Sequence, residues 1–308
     1  MSTAALQPTQ ADTTTRSATH AQAPRGDENK PSWFARVVLL VVCLAWSIPT
    51  FGLLITSFRP IDEINAGGWW SALLQPWNNT WGLQNYREVL GENDMGAAFI
   101  NSIVVAVPAT VIPILFAAVA AYAFTFMQFR GRDSLFLVVV GLLVIPLQVA
   151  FVPMLQLFGD DGFDVIGQFV VVWLLHTGFG MPLAIYILRN YMATLPKTVI
   201  ESAQIDGASH YQTFWRLIVP MSTPALASFA IFQFLWVWND LLIALLFLGS
   251  DVESAVVTVN LSQLVNSQGD GWHLLTAGAF ISMAVPLVVF ISLQRYFVRG
   301  LTAGSVKG

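Results

Sequence analysis

Six long apolar runs constrain this chain more than any other feature of its sequence. A helix needs about 20 apolar residues to cross the hydrocarbon core of a membrane, and none of these runs alternates as the strands of a membrane barrel do. Only 10% of the 308 residues are charged, against about 25% in soluble domains. The sequence therefore predicts an all-α membrane protein with six transmembrane helices, at Phe34–Ser57, Phe99–Phe126, Leu135–Leu157, Val165–Leu188, Pro224–Leu248 and Leu274–Tyr296.

The positions of Lys and Arg predict which side of the membrane each loop faces. Cytoplasmic loops beside transmembrane segments are enriched in these residues. If the N-terminus is cytoplasmic, 12 of the 14 basic residues fall on that side and only Arg59 and Arg87 lie outside. We therefore expect both termini in the cytoplasm. Residues 1–32 are predicted to form a disordered cytoplasmic tail, followed by one membrane domain over residues 33–308 that ends in a cytoplasmic tail at about 297–308.

A polar segment at residues 189–220 separates the fourth and fifth runs, and the same orientation makes it cytoplasmic. Pro196 suits the first turn of a helix, where its missing N–H is not needed. Gly207 is expected to end that helix, since glycine tolerates the left-handed terminal conformation. Ser209 and Gln212 have the spacing of a capping box, which starts a second helix.

The second helix is predicted to end at Pro220. Thr223 is then expected to cap the fifth span, with Pro224 in its first turn. The polar segment should therefore form two short helices joined at a glycine. From the residues alone, an amphipathic loop lying on the membrane and a docking surface for a soluble partner fit this pattern equally well.

The same segment resembles the EAA loop of the permease subunits of binding-protein-dependent ABC importers. The pattern of that family is Glu-Ala-Ala, three residues, Gly, nine residues, then Ile-x-Leu-Pro, and this chain departs from it at Ser202, Leu217 and Val219. The matching positions are Glu201, Ser202, Ala203, Gly207, Leu217, Ile218, Val219 and Pro220. Further stretches resemble the carbohydrate branch, and the last of them its maltose-type permeases: residues 101–132, 204–209, 238–240 and 294–308.

This resemblance, which covers residues 34–308, implies a type I ABC importer permease fold that crosses a bacterial cytoplasmic (inner) membrane several times. It also implies three partners: an ABC ATPase dimer, a second permease subunit in a heterodimer, and an extracytoplasmic sugar-binding protein. The resemblance implies that the EAA coupling loop contacts the ATPase through residues of the motif and of the adjoining stretch 204–209, namely Glu201, Ser202, Ala203, Asp206, Gly207, Ala208 and Pro220.

The chain has no phosphate-binding loop of the form Gly-x-x-x-x-Gly-Lys-Ser/Thr. Its lysines are Lys30, Lys197 and Lys307, and none of them follows a glycine. We therefore expect no cofactor in this chain, with ATP and Mg bound by the partner ATPase, and we expect a transport subunit rather than an enzyme. The four histidines and the single cysteine are scattered, so no metal site is predicted.

Asp240 is the one acidic residue inside a predicted span. Such a residue costs about 2.5–3.5 kcal/mol at the bilayer centre, so we expect it to face the bundle or a wet cavity. Gln233 and Trp236 share its helical face. Together with Asn239 and with Gln148 of the third span, they form the predicted path for a sugar. The alternative is that Asp240 and Asn239 bond neighbouring helices or the outer loop.

Three other features carry weaker predictions. His176 in the fourth span is predicted to be a hydrogen-bonded side chain at a helix kink, with a proton relay as the alternative. His210 is expected at the surface that meets the ATPase. The tryptophan-rich segment Trp69–Trp77 is predicted to lie at the membrane interface, with contact to the binding protein as the alternative.

The predicted function is a permease subunit of an ATP-driven importer that passes a sugar, as an oligosaccharide or a glycoside, across the cytoplasmic membrane. One alternative is an ABC permease for another solute, such as a phosphorylated polyol or a peptide. The other is an ion-coupled secondary transporter, which predicts internal repeats and several intramembrane charges. Lys and Arg are confined to the loops and the ends of the predicted spans, which favours a neutral substrate.

Overall fold

The computed structural model describes residues 32–91, 93–264 and 271–302, with side chains described as far as Arg295. Within these ranges every regular element is a helix. The predicted tail over residues 1–32 lies outside the described residues except for Ser32. Most of the C-terminal stretch that resembles maltose-type permeases also lies outside the described side chains.

The first half of the described chain supplies most of the long helices. It contains α1 (Trp33–Ser57), α2 (Ile61–Leu74), α3 (Gln84–Gly91), α4 (Met95–Phe126), α5 (Arg132–Leu142), α6 (Leu147–Phe158) and α7 (Phe169–Met192). The chain divides into two compact units after Ile48, inside α1. The packing described below is that of the second unit, from Pro49 onward.

The second half contains shorter helices and one long C-terminal helix. In order they are α8 (Lys197–Ile205), α9 (His210–Thr213), a π-helical turn (Phe214–Ile218), α10 (Val219–Met221), α11 (Thr223–Trp238), α12 (Leu242–Phe247), α13 (Val257–Gln263) and α14 (Trp272–Thr302). The helix α14 continues past residue 297, so the stretch predicted as a C-terminal tail begins as helix.

Four of the described helices, α1, α4, α7 and α14, are each long and apolar enough to cross a membrane. Two bent pairs also pass this test when each pair is taken together. The helices α5 and α6 meet at 97°, and the α9–α10 segment meets α11 at 72°. The predicted all-α architecture is confirmed, and the count of six spans holds when each bent pair is counted as one.

The predicted continuous third and fifth spans are wrong in detail. The third breaks between Leu142 and Leu147, where Pro146 is the extended N-cap residue of α6, because proline disfavours helical geometry in the residue before it. The fifth ends at Trp238, where Asn239 is the C-cap residue, and resumes as the short helix α12. Apolar composition continues across both breaks, so hydropathy alone does not register them.

The helices α4 and α7 form the most extensive helix pair of the bundle. Their contact is close because α4 presents alanines to it, and small side chains let helix backbones approach within a membrane. The fully buried alanines of α4 are Ala106, Ala109, Ala117 and Ala121. Two apolar clusters result along this pair, one beside α12 and Asp240 and the other beside α8 and the π-helical turn.

Candidate functional site

We call residues Lys197–Met221 the elbow. Its first helix, α8, is mostly exposed: Glu201 and Ser202 are exposed, and the side chain of Ile205 is 86% exposed. Ile200 alone is buried, where it joins the apolar cluster formed by α4, α7 and the π-helical turn. The helix is therefore anchored on one side and open on the other, as a docking helix would be.

A Schellman motif ends α8. The N–H of Ala208 donates to the carbonyl of Ala203 at 2.9 Å, and the N–H of Gly207 donates to that of Gln204 at 3.0 Å; these are the two bonds that define the motif. Gly207 has a φ of +80°, in the region that glycine enters at low cost. The prediction that Gly207 ends this helix is confirmed, with Asp206 as the C-cap residue.

A capping box starts the second arm of the elbow, as predicted. The hydroxyl oxygen of Ser209 accepts from the N–H of Gln212 at 3.3 Å, and the side-chain oxygen of Gln212 accepts from the N–H of Ser209 at 2.9 Å. The C-terminal end of α8 and the N-terminal start of α9 therefore follow each other directly, and each has local hydrogen-bond partners for its terminal backbone groups. The sharp change of direction at Gly207 is encoded locally.

Three details of this segment differ from the predictions. Pro196 is the N-cap residue of α8, not a residue of its first turn. Pro220 does not end the second arm, because it falls in the first turn of α10, where its missing N–H removes no helical bond. Thr223 begins α11 instead of capping it, and its hydroxyl donates back to the carbonyl of Pro220 at 2.8 Å.

Three predicted substrate-path residues, on α11 or just after its end, converge on His176 of α7. The ring of Trp236 meets the imidazole edge to face, with centroids 4.9 Å apart, and Asp240 Oδ2 lies 3.8 Å from His176 Nε2. Gln233 donates from its amide to the carbonyls of Ala109 and His176, at 3.1 and 3.3 Å. Gln233, Trp236 and Asp240 therefore share His176 as a neighbour, although Asp240 lies beyond the end of α11. Periodicity within one span cannot identify this histidine.

The prediction that His176 is hydrogen-bonded through its side chain is wrong. The residue is 1% exposed, and both ring nitrogens lack a hydrogen-bond partner among the described residues. Its surroundings are an aromatic edge and one carboxyl group beyond hydrogen-bonding distance. The helix α7 runs from Phe169 to Met192 without a break, with Pro182 inside it.

Asp240 joins three segments. Its carboxyl group accepts from the N–H of Ala244 at 3.1 Å, at the start of α12, and its carbonyl accepts from the hydroxyl of Thr258 at 2.6 Å. Asn239 is exposed and donates to the carbonyl of Leu235 on its own helix at 2.8 Å. The alternative prediction was that Asp240 and Asn239 bond neighbouring helices or the outer loop. The contacts of Asp240 fit this alternative.

Gln148 stands apart from this group. It is an exposed residue at the start of α6, and no described hydrogen bond joins it to Gln233, Trp236 or Asp240. Trp236, by contrast, lines a cavity of about 450 Å³ at the bend between α5 and α6. The other residues that line this cavity are apolar and come from α5, α6, α7 and the turn between α5 and α6.

The connection between α1 and α4 is built around Arg59, which is 2% exposed. Its guanidinium donates to the carbonyls of Gly68 and Glu63, at 2.8 and 3.1 Å. The carboxylate of Glu63 accepts from the N–H of Thr80 at 2.9 Å. These bonds to Thr80, with the nearby Arg59 charge, hold the pKa of Glu63 below its ordinary value. Sequence analysis had treated Arg59 only as a charge outside the membrane.

The tryptophan-rich segment lies on the same connection. Trp69 covers Gly52 of α1 so closely that a Cβ at Gly52 would lie 2.9 Å from the indole. Trp70 and Trp77 are exposed by 57% and 78%. The segment thus has one structural tryptophan and two that are free to meet a membrane interface or another protein. In the part of the chain that the structure describes, no group of His, Cys, Asp and Glu could hold a metal ion.

An all-α membrane bundle that presents an exposed helical elbow is the arrangement of the membrane subunit of a transporter. Residues 26–303 match the family described as "Binding-protein-dependent transport system inner membrane component". The chain belongs to this family. The predicted class, a multi-pass inner-membrane permease subunit and not an enzyme, is therefore confirmed.

Relatives and solved structures agree with this assignment. The chain is 55% identical over 272 residues to the osmoprotective compounds uptake permease protein GgtD of Synechocystis, covering 88% of this chain and 91% of the relative. It is 41% identical to the alpha-glucoside transport system permease protein AglG of Rhizobium meliloti, covering 90% and 97%. The resemblance to carbohydrate permeases is thus confirmed.

The fold also matches a solved structure. A bacterial ABC transporter involved in the import of the acidic polysaccharide alginate has a chain that superposes with a TM-score of 0.71 at 18% identity, covering 86% of this chain and 95% of that chain. At this identity the match concerns the fold alone. It confirms the predicted importer permease architecture.

Proposed function

We propose that this chain is one of two permease subunits of an ATP-driven importer for a small neutral glycoside, of the α-glucoside class. The observation that carries the proposal is the 55% identity to GgtD over nearly the whole of both chains. An osmoprotective compound and an α-glucoside are the substrates in the names of the two relatives, and a neutral glucoside meets both descriptions.

We propose that the elbow and both termini are cytoplasmic. The excess of Lys and Arg supports this orientation, because the elbow and the connection between α4 and α5 carry basic residues, whereas the connections assigned outside carry mainly acidic ones. Arg59 and Arg87 are the two basic residues assigned outside, against 12 inside, so the asymmetry remains large.

In this proposal an ABC ATPase dimer, which binds ATP and Mg, receives the exposed side of α8. The contact surface comprises residues at or next to the Schellman end of the helix: Glu201, Ser202, Ala203, Asp206, Gly207 and Ala208. Pro220 lies at the far end of the second arm. Closure of the ATPase dimer on ATP displaces α8, and the elbow carries that displacement to the membrane helices. A second permease subunit and an external sugar-binding protein complete the assembly.

We propose that the substrate passes beside Trp236, whose ring offers an apolar face to the C–H surface of a sugar. Asn239 and Gln148 are exposed and offer amide groups for hydroxyls. Gln233 and Asp240 already bond protein groups, so their part is to hold Trp236 and the end of α11 in place. This division of roles is supported by the hydrogen bonds of Gln233 and Asp240.

Uptake competition tests the proposed substrate class. A strain that lacks only this chain is complemented with it, and import of a labelled α-glucoside such as sucrose is measured against unlabelled maltose, glycerol phosphate and a dipeptide. Competition by the neutral glucoside alone is expected. Strongest competition by glycerol phosphate or the dipeptide would contradict the substrate class. Import that survives ATP depletion but stops with a protonophore would contradict the ATP-driven mechanism.

A further inference from the structure

Tyr122 of α4 is the point where the second arm of the elbow meets a long membrane helix. Its side chain is 4% exposed, and its hydroxyl oxygen lies 2.9 Å from Nδ1 of His210. The hydroxyl donates to Nδ1 when the imidazole carries its proton on Nε2. Within the described residues this is the one hydrogen bond of the Tyr122 hydroxyl.

Aromatic rings pack around the Tyr122 side of this hydrogen bond, whereas His210 is an exposed residue. The ring of Tyr122 lies 5.4 Å from those of Phe126 and Phe214, and 6.0 Å from the imidazole of His210, measured between centroids. Phe214 begins the π-helical turn, and such turns occur often at functional sites. A buried hydroxyl that loses its partner costs free energy, so the burial of Tyr122 favours the bonded arrangement.

His210 follows α8 closely in the chain, with little free backbone between them. The Schellman motif ends α8 at Asp206 and Gly207, and the capping box begins at Ser209, the residue before His210. Both ends have their own closing hydrogen bonds, so only the junction between Ala208 and Ser209 separates two locally ordered helix ends. A displacement of α8 therefore reaches His210 through one short connection.

We propose that the hydrogen bond between His210 and Tyr122 is the strut that transmits movement of α8 to α4, with both residues acting as positioning residues. This inference rests on the proposed docking of α8 against an ATPase. It adds a specific pair to that function, because Tyr122 is buried in α4 and His210, which is exposed beside α8, bonds that hydroxyl through Nδ1.

The apolar contacts beside this pair are not sufficient for the same task. Ile200 and Ile218 join the cluster around α4, but apolar contact is not directional and allows packed helices to slide in small steps. A hydrogen bond depends steeply on distance and angle. The pair therefore fixes the register between the elbow and α4, whereas the cluster supplies only attraction.

The test uses the complete transporter, with both permease subunits, the ATPase and the binding protein, in proteoliposomes. Tyr122→Phe removes the hydroxyl and keeps the ring, and His210→Ala removes the partner. Each is expected to raise the ATP hydrolysed per substrate imported by about two- to tenfold, the range that the loss of one hydrogen bond supports. The double variant should be no worse than either single one.

In His210→Asn the side-chain amide occupies the position of Nδ1. This variant should bring the ATP hydrolysed per substrate imported most of the way back to the wild-type value. Tyr186→Phe is the matched control, since Tyr186 is a half-exposed tyrosine of α7, and it should leave the ratio unchanged. A ratio that is unchanged in Tyr122→Phe and His210→Ala would overturn the proposal, even if less complex assembles. So would additive effects in the double variant. Failure of the proposed function is distinct, because the wild-type complex would then show no substrate-stimulated ATP hydrolysis.

Discussion

Gly180 of α7 and Gln233 of α11 touch at a point where no larger residue fits. A Cβ added to Gly180 would lie 2.8 Å from Oε1 of Gln233, while the Gln233 amide is occupied by the carbonyls of Ala109 and His176. The two helices cross here, and the buried amide links α11 to both α4 and α7. The position of Trp236 beside His176 depends on this crossing.

Gly180→Ala should therefore lower the thermal midpoint of the detergent-solubilised transporter and its import activity. The new methyl group displaces the Gln233 amide and leaves buried carbonyls without a donor, at a cost of about 1–3 kcal/mol. Gly178→Ala is the matched control on the same helix, since a Cβ there meets no atom within 4 Å. Equal effects of the two substitutions would show that the crossing does not depend on Gln233.

Asp240→Ala should destabilise the bundle by about 1–3 kcal/mol, because Ala244 loses its side-chain acceptor and His176 its polar neighbour. Asp240→Asn keeps an oxygen for the N–H of Ala244 and should retain most of the stability. Thermal unfolding in detergent measures both. Asn239→Ala serves as the control, since this exposed residue bonds only its own helix, and its effect should stay within about 0.5 kcal/mol.

Arg59→Met should destabilise the connection between α1 and α4 by about 1–3 kcal/mol. The substitution keeps an unbranched apolar stem but leaves the carbonyls of Gly68 and Glu63 without their donor. Arg87→Met removes an exposed charge from the same connection and should have little effect. Comparable losses in midpoint would mean that net charge, and not the buried contacts of Arg59, stabilises this region.

Glu63→Gln should lower the thermal midpoint at neutral pH but not in acid. The folded pKa of Glu63 is lowered by its bonds to Thr80 and by Arg59, so its contribution is present above the unfolded-state value of about 4.3. It is lost as pH falls through the lower folded pKa. Midpoints of wild type and variant should differ at about pH 7 and converge as the pH falls through the folded pKa of Glu63. A difference that persists in acid would exclude this linkage.

Gly207→Val should uncouple ATP hydrolysis from import while the complex still assembles. Valine at a φ of +80° costs about 1–2 kcal/mol and strains the turn that aligns the two arms. Gly207→Asn is the control, because asparagine tolerates this conformation better. The open space around this position separates backbone strain from steric clash. A similar loss of coupling in both variants would indicate that contact with the ATPase surface matters more than the turn.

The sequence signals that succeeded were local ones. Gly207, Ser209 and Gln212 act within one or two turns of helix, so their spacing is sufficient to predict the elbow. Pro146 is also a local signal for the break in the third span, but the apolar composition continues across it and favours one uninterrupted helix. The count and type of the long helices followed from hydropathy, because lipid leaves the backbone few alternatives.

The signals that failed required knowledge of which helices meet. Periodicity grouped Gln233, Trp236 and Asp240 on one face, but it cannot identify His176 as the residue opposite them. The burial of Arg59 had a weak signal in the four-residue spacing to Glu63, which resembles a helical ion pair. The contact between Tyr122 and His210 had none, because it joins a membrane helix to a segment that the sequence presents as a surface loop.

The back-to-back helix end and helix start at residues 206–212 leave little slack in the elbow. Each helix end is closed by bonds among its own neighbours, and Ile200 and Ile218 hold the two arms against the bundle. A rigid connection transmits a displacement with little loss, whereas a flexible one absorbs the displacement by bending. The amplitude of motion of the membrane helices is then set by how far α8 is displaced and by the length of the second arm of the elbow.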